Sequence, residues 1–176
     1  LSVSKEAKKR GSGYLNVALF GVDSRDNDLD KGTRSDTIMI ASLNKKTMKV
    51  KIASIYRDTL SEQEDGTLNK INAAYSYGGP EGALSVLNKN LDMNIEHYVT
   101  VNFNSMIDIV DSVGGIDIDV QEDEMPYICG YVQEIMKVTG KLSPGVTEPG
   151  TQTLNGVQAT AYARIRYTAG DDFRRA

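Results

Sequence analysis

Apolar residues in this chain gather into short runs separated by polar links rich in Gly, Asn and Asp. Tyr14 to Phe20 is one such run, of strand length. Thr37 to Leu43 is apolar on both alternating faces, the pattern of a central strand covered on both sides. Asn44-Lys45-Lys46-Thr47 then makes a turn, and Val50 to Tyr56 supplies the next strand, so the pair reads as a hairpin. A hairpin brings Thr37 and Tyr56 to the same edge of the sheet. Arg34, Asp36, Arg57 and Asp58 follow them there.

Downstream the period changes. Ser61 to Asn69 reads as a polar loop. Lys70 to Tyr77 predicts a short helix stopped by Gly78-Gly79. Pro80 and Glu81 suit the start of a second helix with Ala83, Leu84, Leu87 and Leu91 on its apolar face. His97 to Phe103 has strand content. Asn104 or Ser105 caps a helix carrying Met106, Ile107, Ile109, Val110 and Val113. After Gly114-Gly115, Ile116 to Val120 alternates as a strand with one solvated face. Gln121 to Gly150 reads as an excursion carrying one helix. Leu154 to Ala163 is helical, and a strand following it would put Arg164 and Arg166 on one face, with Ile165 and Tyr167 on the other. Strands alternating with helices give an α/β sandwich. Residues 1–13 read as a flexible lead-in, and residues 14–176 as one domain.

Composition narrows the function. The chain has 176 residues, 40% of them hydrophobic and 25% charged, an ordinary globular balance. A net charge of −4 gives no general nucleic-acid footprint. No run reaches the roughly 18 apolar residues of a membrane span. No signal peptide is visible, and any membrane anchor lies outside these residues. Cys129, the single cysteine, cannot form an internal disulfide or build a metal site alone. His97, the single histidine, reads as a partly buried structural residue, which sets His-based triads aside. The sequence holds neither GxxxxGK[ST] nor GxGxxG.

The arginines carry the chemistry. Guanidinium forks match phosphate oxygens by donating paired hydrogen bonds. Arg34, Arg57, Arg164, Arg166 and one of Arg174 and Arg175 on one pocket would suit a pyrophosphate. Asp23 and Asp36 offer the hard oxygen ligands that Mg²⁺ takes beside a phosphate. The same spacing is equally compatible with surface Arg–Asp pairs in turns, which are common and weak.

Seven segments together resemble the LytR–CpsA–Psr family. They are GVDSR (21–25), RSDT (34–37), YRDT (56–59), KINAAYSYGGPEGA (70–83), HYVTVNF (97–103), VGGIDIDV (113–120) and LNGVQATAYARIRY (154–167). The likeness extends over nearly all of 16–175. It departs at Tyr56, where the family usually has proline, and matches poorly over 121–150. The family motif near Asp172 normally runs on into an Arg-Gln pair on a helix, whereas this sequence stops at Ala176. The resemblance therefore implies an α/β/α sandwich with a central mixed sheet and a lipid-holding pocket, truncated at its C-terminus.

The resemblance also implies an activity. Such proteins are membrane-anchored phosphotransferases on the outer face of the bacterial cytoplasmic membrane. They move a glycopolymer phosphate, of teichoic acid or capsular polysaccharide, from a polyprenyl-pyrophosphate carrier to peptidoglycan, with Mg²⁺. Asp23 and Asp36 match the metal-associated aspartates. Arg57, Arg164 and Arg166 match arginines that hold the pyrophosphate, with Arg34 and Arg175 as additions. Asp58 joins Arg57, Arg164 and Arg166 as a catalytic candidate, and Asp23 or Asp58 is the candidate proton acceptor. Two alternatives stand beside transfer: a pyrophosphatase releasing the lipid to water, and a non-catalytic lipid or polyanion sensor.

Overall fold

A computed structural model describes residues 2–22 and 34–165. It divides into two units, the first ending at Asn102 and the second opening at Phe103.

The first unit is built on a four-stranded mixed sheet. Its strands are β1 (Tyr14–Val22), β2 (Ser35–Asn44), β3 (Val50–Ile55) and, numbered in chain order, β6 (His97–Val101), arranged β3-β2-β1-β6. β1 pairs antiparallel with β2, placing Phe20 opposite Ile38 and Gly21 opposite Thr37. β2 pairs antiparallel with β3, from Leu43↔Val50 to Ile38↔Ile55, which is the hairpin expected from the sequence. β6 lies parallel to β1. The fold class is thus α/β with a central mixed sheet, as expected.

One sheet face is sealed by helix α2 (Ala73–Leu91). Ala18, Phe20, Val22, Ile38 and Ile40 pack there with Tyr75, Leu84, Val86 and Leu87, all buried. Full burial of a side chain of Leu or Ile size contributes about 1.5–3 kcal/mol. Phe20 meets Tyr75 edge-on at 5.2 Å between ring centroids, a favoured aromatic geometry. α2 is interrupted where the sequence placed its break: Gly79 has φ 62° and ψ −159°, and Pro80 opens the second half. Asn88 pins the exit from α2, donating to Ile95 O at 2.9 Å and accepting from Ile95 N at 2.8 Å.

Several elements differ from the sequence reading. Residues 1–13, expected as a flexible lead-in, contain helix α1 (Lys5–Gly11). Ser4 caps it by accepting from Ala7 N at 2.9 Å, and both Ser4 and Arg10 donate to the Asp92 carboxylate. A helix this short shows no apolar stripe, and only Ala7 of it is buried. The Ser61–Asn69 loop holds a hairpin, β4 (Leu60–Glu62) with β5 (Leu68–Lys70). Asp65-Gly66 turns it, with Gly66 at φ 83°, a conformation glycine adopts freely. Lys70 therefore ends a strand and does not begin a helix. His97 is exposed on β6, contrary to the partly buried role expected of it. Among the described residues β6 pairs with β1 alone.

The second unit is a small α+β arrangement. It contains α3 (Phe103–Ser112), β7 (Ile116–Val120), α4 (Met125–Thr139), β8 (Gly150–Leu154) and α5 (Gly156–Tyr162). β7 and β8 pair antiparallel, so Ile116–Val120 is a strand as expected. The excursion over 121–150 carries one helix, α4, also as expected. Ile107, Val110, Ile128, Val132, Ile135, Leu154 and Ile165 form the core of this unit. Asn155 caps α5 in a full capping box with Gln158. Gly156 lies so close to α3 that an added Cβ would sit 2.3 Å from Ile107 O.

Candidate active site

The β2–β3 hairpin does what its length requires. Asp36 stands near the start of β2, and Arg57 and Asp58 stand just beyond the end of β3, at the same end of the sheet. Arg57 Nη1 donates to Asp36 Oδ1 at 2.6 Å. Arg57 Nε lies 3.9 Å from Asp58 Oδ2, an ion pair without hydrogen-bond geometry. The backbone secures this corner. Thr59 N donates to Tyr56 O at 3.0 Å, Asn72 N to Arg57 O at 3.3 Å, and Ile71 N to Thr59 O at 2.8 Å.

Lys70, which the sequence reading left without a role, completes the cluster. Its Nζ lies 2.5 Å from Asp58 Oδ1. The only sequence signal was its place in the KINAAYSYGG stretch. The β4–β5 hairpin turns Lys70 back to Asp58. The Lys70 hydrogen bond is the largest cause holding the Asp58 carboxyl below the usual carboxylate range, and the charges of Lys70, Arg57 and Arg34 act the same way. Arg34, exposed at the entry to β2, thus belongs to the same electrostatic neighbourhood. A carboxylate so held is a weak proton acceptor at neutral pH. Asp58 is better suited to fixing two cations than to serving as a base.

Arg164 lies in the second unit, in the turn that follows α5, where a strand was expected. Its backbone N–H donates to Ala161 O at 3.1 Å. Its guanidinium carbon sits 5.1 Å from the Phe103 ring centroid and 5.5 Å from that of Tyr131. Nη1 is buried and lies 3.2 Å from Glu134 Oε1, in ion-pair range but without a hydrogen bond. Asp23, Arg166 and Arg175 fall outside the described residues. Sequence reasoning missed Phe103, Tyr131 and Glu134. Tyr131 and Glu134 are one helical turn apart on α4, within the stretch that matched no motif.

The described residues contain no group of three or more His, Cys, Asp or Glu placed to hold a metal unaided. Mg²⁺ commonly keeps several waters and takes one or two carboxylates together with substrate phosphates. Asp36 fits that use: its side chain is 46% exposed, and Arg57 engages its Oδ1. Beside the bend of α2, an open cleft of about 390 Å³ is lined in part by Glu64, Glu81 and Glu96. That lining suits a pyrophosphate badly, so the cation-rich hairpin end is the better anion site. No helix among the described residues is long and apolar enough to cross a membrane.

The model of the LytR_cpsA_psr family matches residues 2–176. The chain belongs to that family. Among curated relatives of this LytR_cpsA_psr chain is the polyisoprenyl-teichoic acid–peptidoglycan teichoic acid transferase TagU of Bacillus cereus. It is 39% identical over 169 residues, covering 93% of this chain and 48% of the relative. The corresponding transferase TagV of Bacillus subtilis is 35% identical over 155 residues, covering 86% of this chain and 37% of the relative. Among solved structures, the family protein YwtF (TagT) with bound octaprenyl pyrophosphate lipid matches with a TM-score of 0.68 at 27% identity, covering 94% of this chain and 61% of that one. The LytR_cpsA_psr chain thus spans between about a third and a half of the length of the curated relatives it matches.

Proposed function

We propose that this chain carries the pyrophosphate-holding part of a phosphotransferase. That enzyme moves a glycopolymer phosphate from a polyprenyl-pyrophosphate carrier to peptidoglycan. The observation that carries the reading is the cluster of Arg57, Lys70, Asp36 and Asp58 at one end of the β2–β3 hairpin. The names of the relatives support the substrate class.

In this reaction an acceptor sugar hydroxyl attacks the phosphorus nearest the glycopolymer. The new P–O bond forms as the pyrophosphate bridge breaks, polyprenyl phosphate leaves, and the hydroxyl proton passes to a base. Positioning and charge neutralisation dominate such transfers. Arg57 presents its fork to the phosphate oxygens, and Arg34 adds positive charge at the same end. Asp58 holds Arg57 and Lys70 in place and leaves the role of base to another group. By the family resemblance, Arg164, Arg166 and Arg175 are further pyrophosphate-holding candidates. Asp36, with Asp23, would hold Mg²⁺, which when bound would offset charge on the phosphates. In this reading the enzyme works at the outer face of the bacterial cytoplasmic membrane.

The test is calorimetric titration with a soluble short-chain polyprenyl pyrophosphate, with and without Mg²⁺, followed by a transfer assay on the longer protein. Binding weakened at least tenfold in Arg57→Ala, together with transfer to a peptidoglycan acceptor, supports the reading. Sugar phosphate released to water even with acceptor present would make the protein a pyrophosphatase. Lipid recovered unchanged would make it a sensor. No binding by either protein would overturn the assignment.

A further inference from the structure

Arg164 is set unlike a free surface arginine. Its guanidinium lies over two aromatic rings, Phe103 from the start of α3 and Tyr131 from α4. Its Nη1 is buried beside the Glu134 carboxylate, and its side chain as a whole is 28% exposed. Aromatic faces attract the flat side of a guanidinium and leave its edges, where the N–H groups point, available to oxygen ligands. The Glu134 carboxylate beside Nη1 adds a charge attraction that favours one setting of the guanidinium. Among the described residues, Glu134 is the one carboxylate paired with Arg164. Glu134 approaches the guanidinium at Nη1.

We infer that Tyr131 and Glu134 are positioning residues for Arg164. They hold its guanidinium in one orientation before a pyrophosphate arrives. This rests on the reading of Arg164 as a pyrophosphate arginine. It gives α4, which lies in the stretch least like the rest of the family, a purpose in the chemistry. An unrestrained arginine loses rotamer freedom on binding, and a pre-oriented one loses less. Phe103 supplies the second ring from α3, so the guanidinium is held between two helices that share one hydrophobic core.

The experiment uses the 176-residue chain labelled for arginine side-chain NMR, with Arg164→Lys to assign the guanidinium signals. Variants are Tyr131→Leu, Glu134→Gln and, as the conservative replacement, Tyr131→Phe. Geranyl pyrophosphate is the titrant. In the parent chain and in Tyr131→Phe, the Arg164 Nε signal should be ring-shifted, and rotation of the guanidinium should be slowed. In Tyr131→Leu the ring shift should shrink, and in Glu134→Gln rotation should quicken. Tyr131→Leu and Glu134→Gln should each bind geranyl pyrophosphate about fivefold more weakly, the scale of a partly desolvated cation–π or charge contact, and Tyr131→Phe should bind as the parent does. Backbone spectra showing the parent fold in every variant separate positioning from unfolding.

Arg164 signals unmoved by both substitutions would overturn the inference. So would signals that move with no change in affinity. A parent chain that does not bind geranyl pyrophosphate counts against the pyrophosphate reading itself. The spectra then still decide whether Tyr131 and Glu134 fix the guanidinium.

Discussion

Arg57 reaches across the hairpin to Asp36 at 2.6 Å, joining two residues 21 positions apart in sequence. The pair makes Arg57 the arginine whose placement follows most directly from strand pairing. Arg57→Ala should weaken binding of a short-chain polyprenyl pyrophosphate by about 10- to 100-fold, the range for losing a hydrogen bond to a charged group. Arg10→Ala removes a guanidinium that pairs with Asp92 on α1's side of the unit and should leave binding unchanged. Calorimetric titration of both variants checks the contrast. Equal losses would mean that the two arginines do not differ in role.

The Asp58 carboxyl is held below its ordinary value chiefly by Lys70. A carboxylate depressed in this way adds stability that is fully present above its unfolded pKa, about 3.9. That stability is lost as pH falls through the lower folded value. Lys70→Gln should therefore move the Asp58 carboxyl upward, toward the usual aspartate range. Carbon-detected titration of the Asp58 side chain from pH 6 to pH 2 measures the shift. An unchanged midpoint would show that Lys70 does not control it.

Gly156 leaves no room for a side chain against α3, since its Cβ would press on the Ile107 carbonyl at 2.3 Å. Gly156→Ala should destabilise the second unit by about 1–3 kcal/mol, the cost of overpacking. Gly130, inside α4, has nothing within 4 Å of its Cβ position. Gly130→Ala should be neutral or stabilising by up to about 1 kcal/mol. Denaturant melts of the two variants should move in opposite directions or differ by that margin.

The bend in α2 depends on Gly79, whose φ of 62° and ψ of −159° lie in a region that essentially only glycine occupies. Gly79→Ala should cost about 1–3 kcal/mol. Gly78 has open space around its Cβ position, so Gly78→Ala should cost less. Thermal unfolding, read by circular dichroism, compares them.

Much of the first unit was legible because its strands are long enough to show their period. The apolar run from Thr37 to Leu43, a four-residue turn and a second strand-like run gave the hairpin, and with it the meeting of Asp36 and Arg57. The break at Gly78-Gly79-Pro80 was legible because those residues have few conformations in common with a continuous helix. β4 and β5 were not, because three-residue strands with exposed Leu60 and Leu68 carry no burial signal. Lys70 was missed with them. β8 was hidden for a related reason: its Gly150–Leu154 segment has Leu154 as its one buried residue. The seat of Arg164 was illegible from spacing, since Phe103, Tyr131 and Glu134 come to it from two separate helices. Their link to Arg164 exists only after the core of that unit has formed.

The β2–β3 register has a consequence for how errors in folding would be felt. Strand side chains alternate, so a slip of one residue would carry Ile38 and Ile40 out of the core and turn Asp36 to the opposite face from Arg57. The charged end therefore needs no recognition of its own during folding. The apolar residues proofread it: a chain that has found the right partner for Ile38 has already set its anion site, and a mispaired chain forfeits both together.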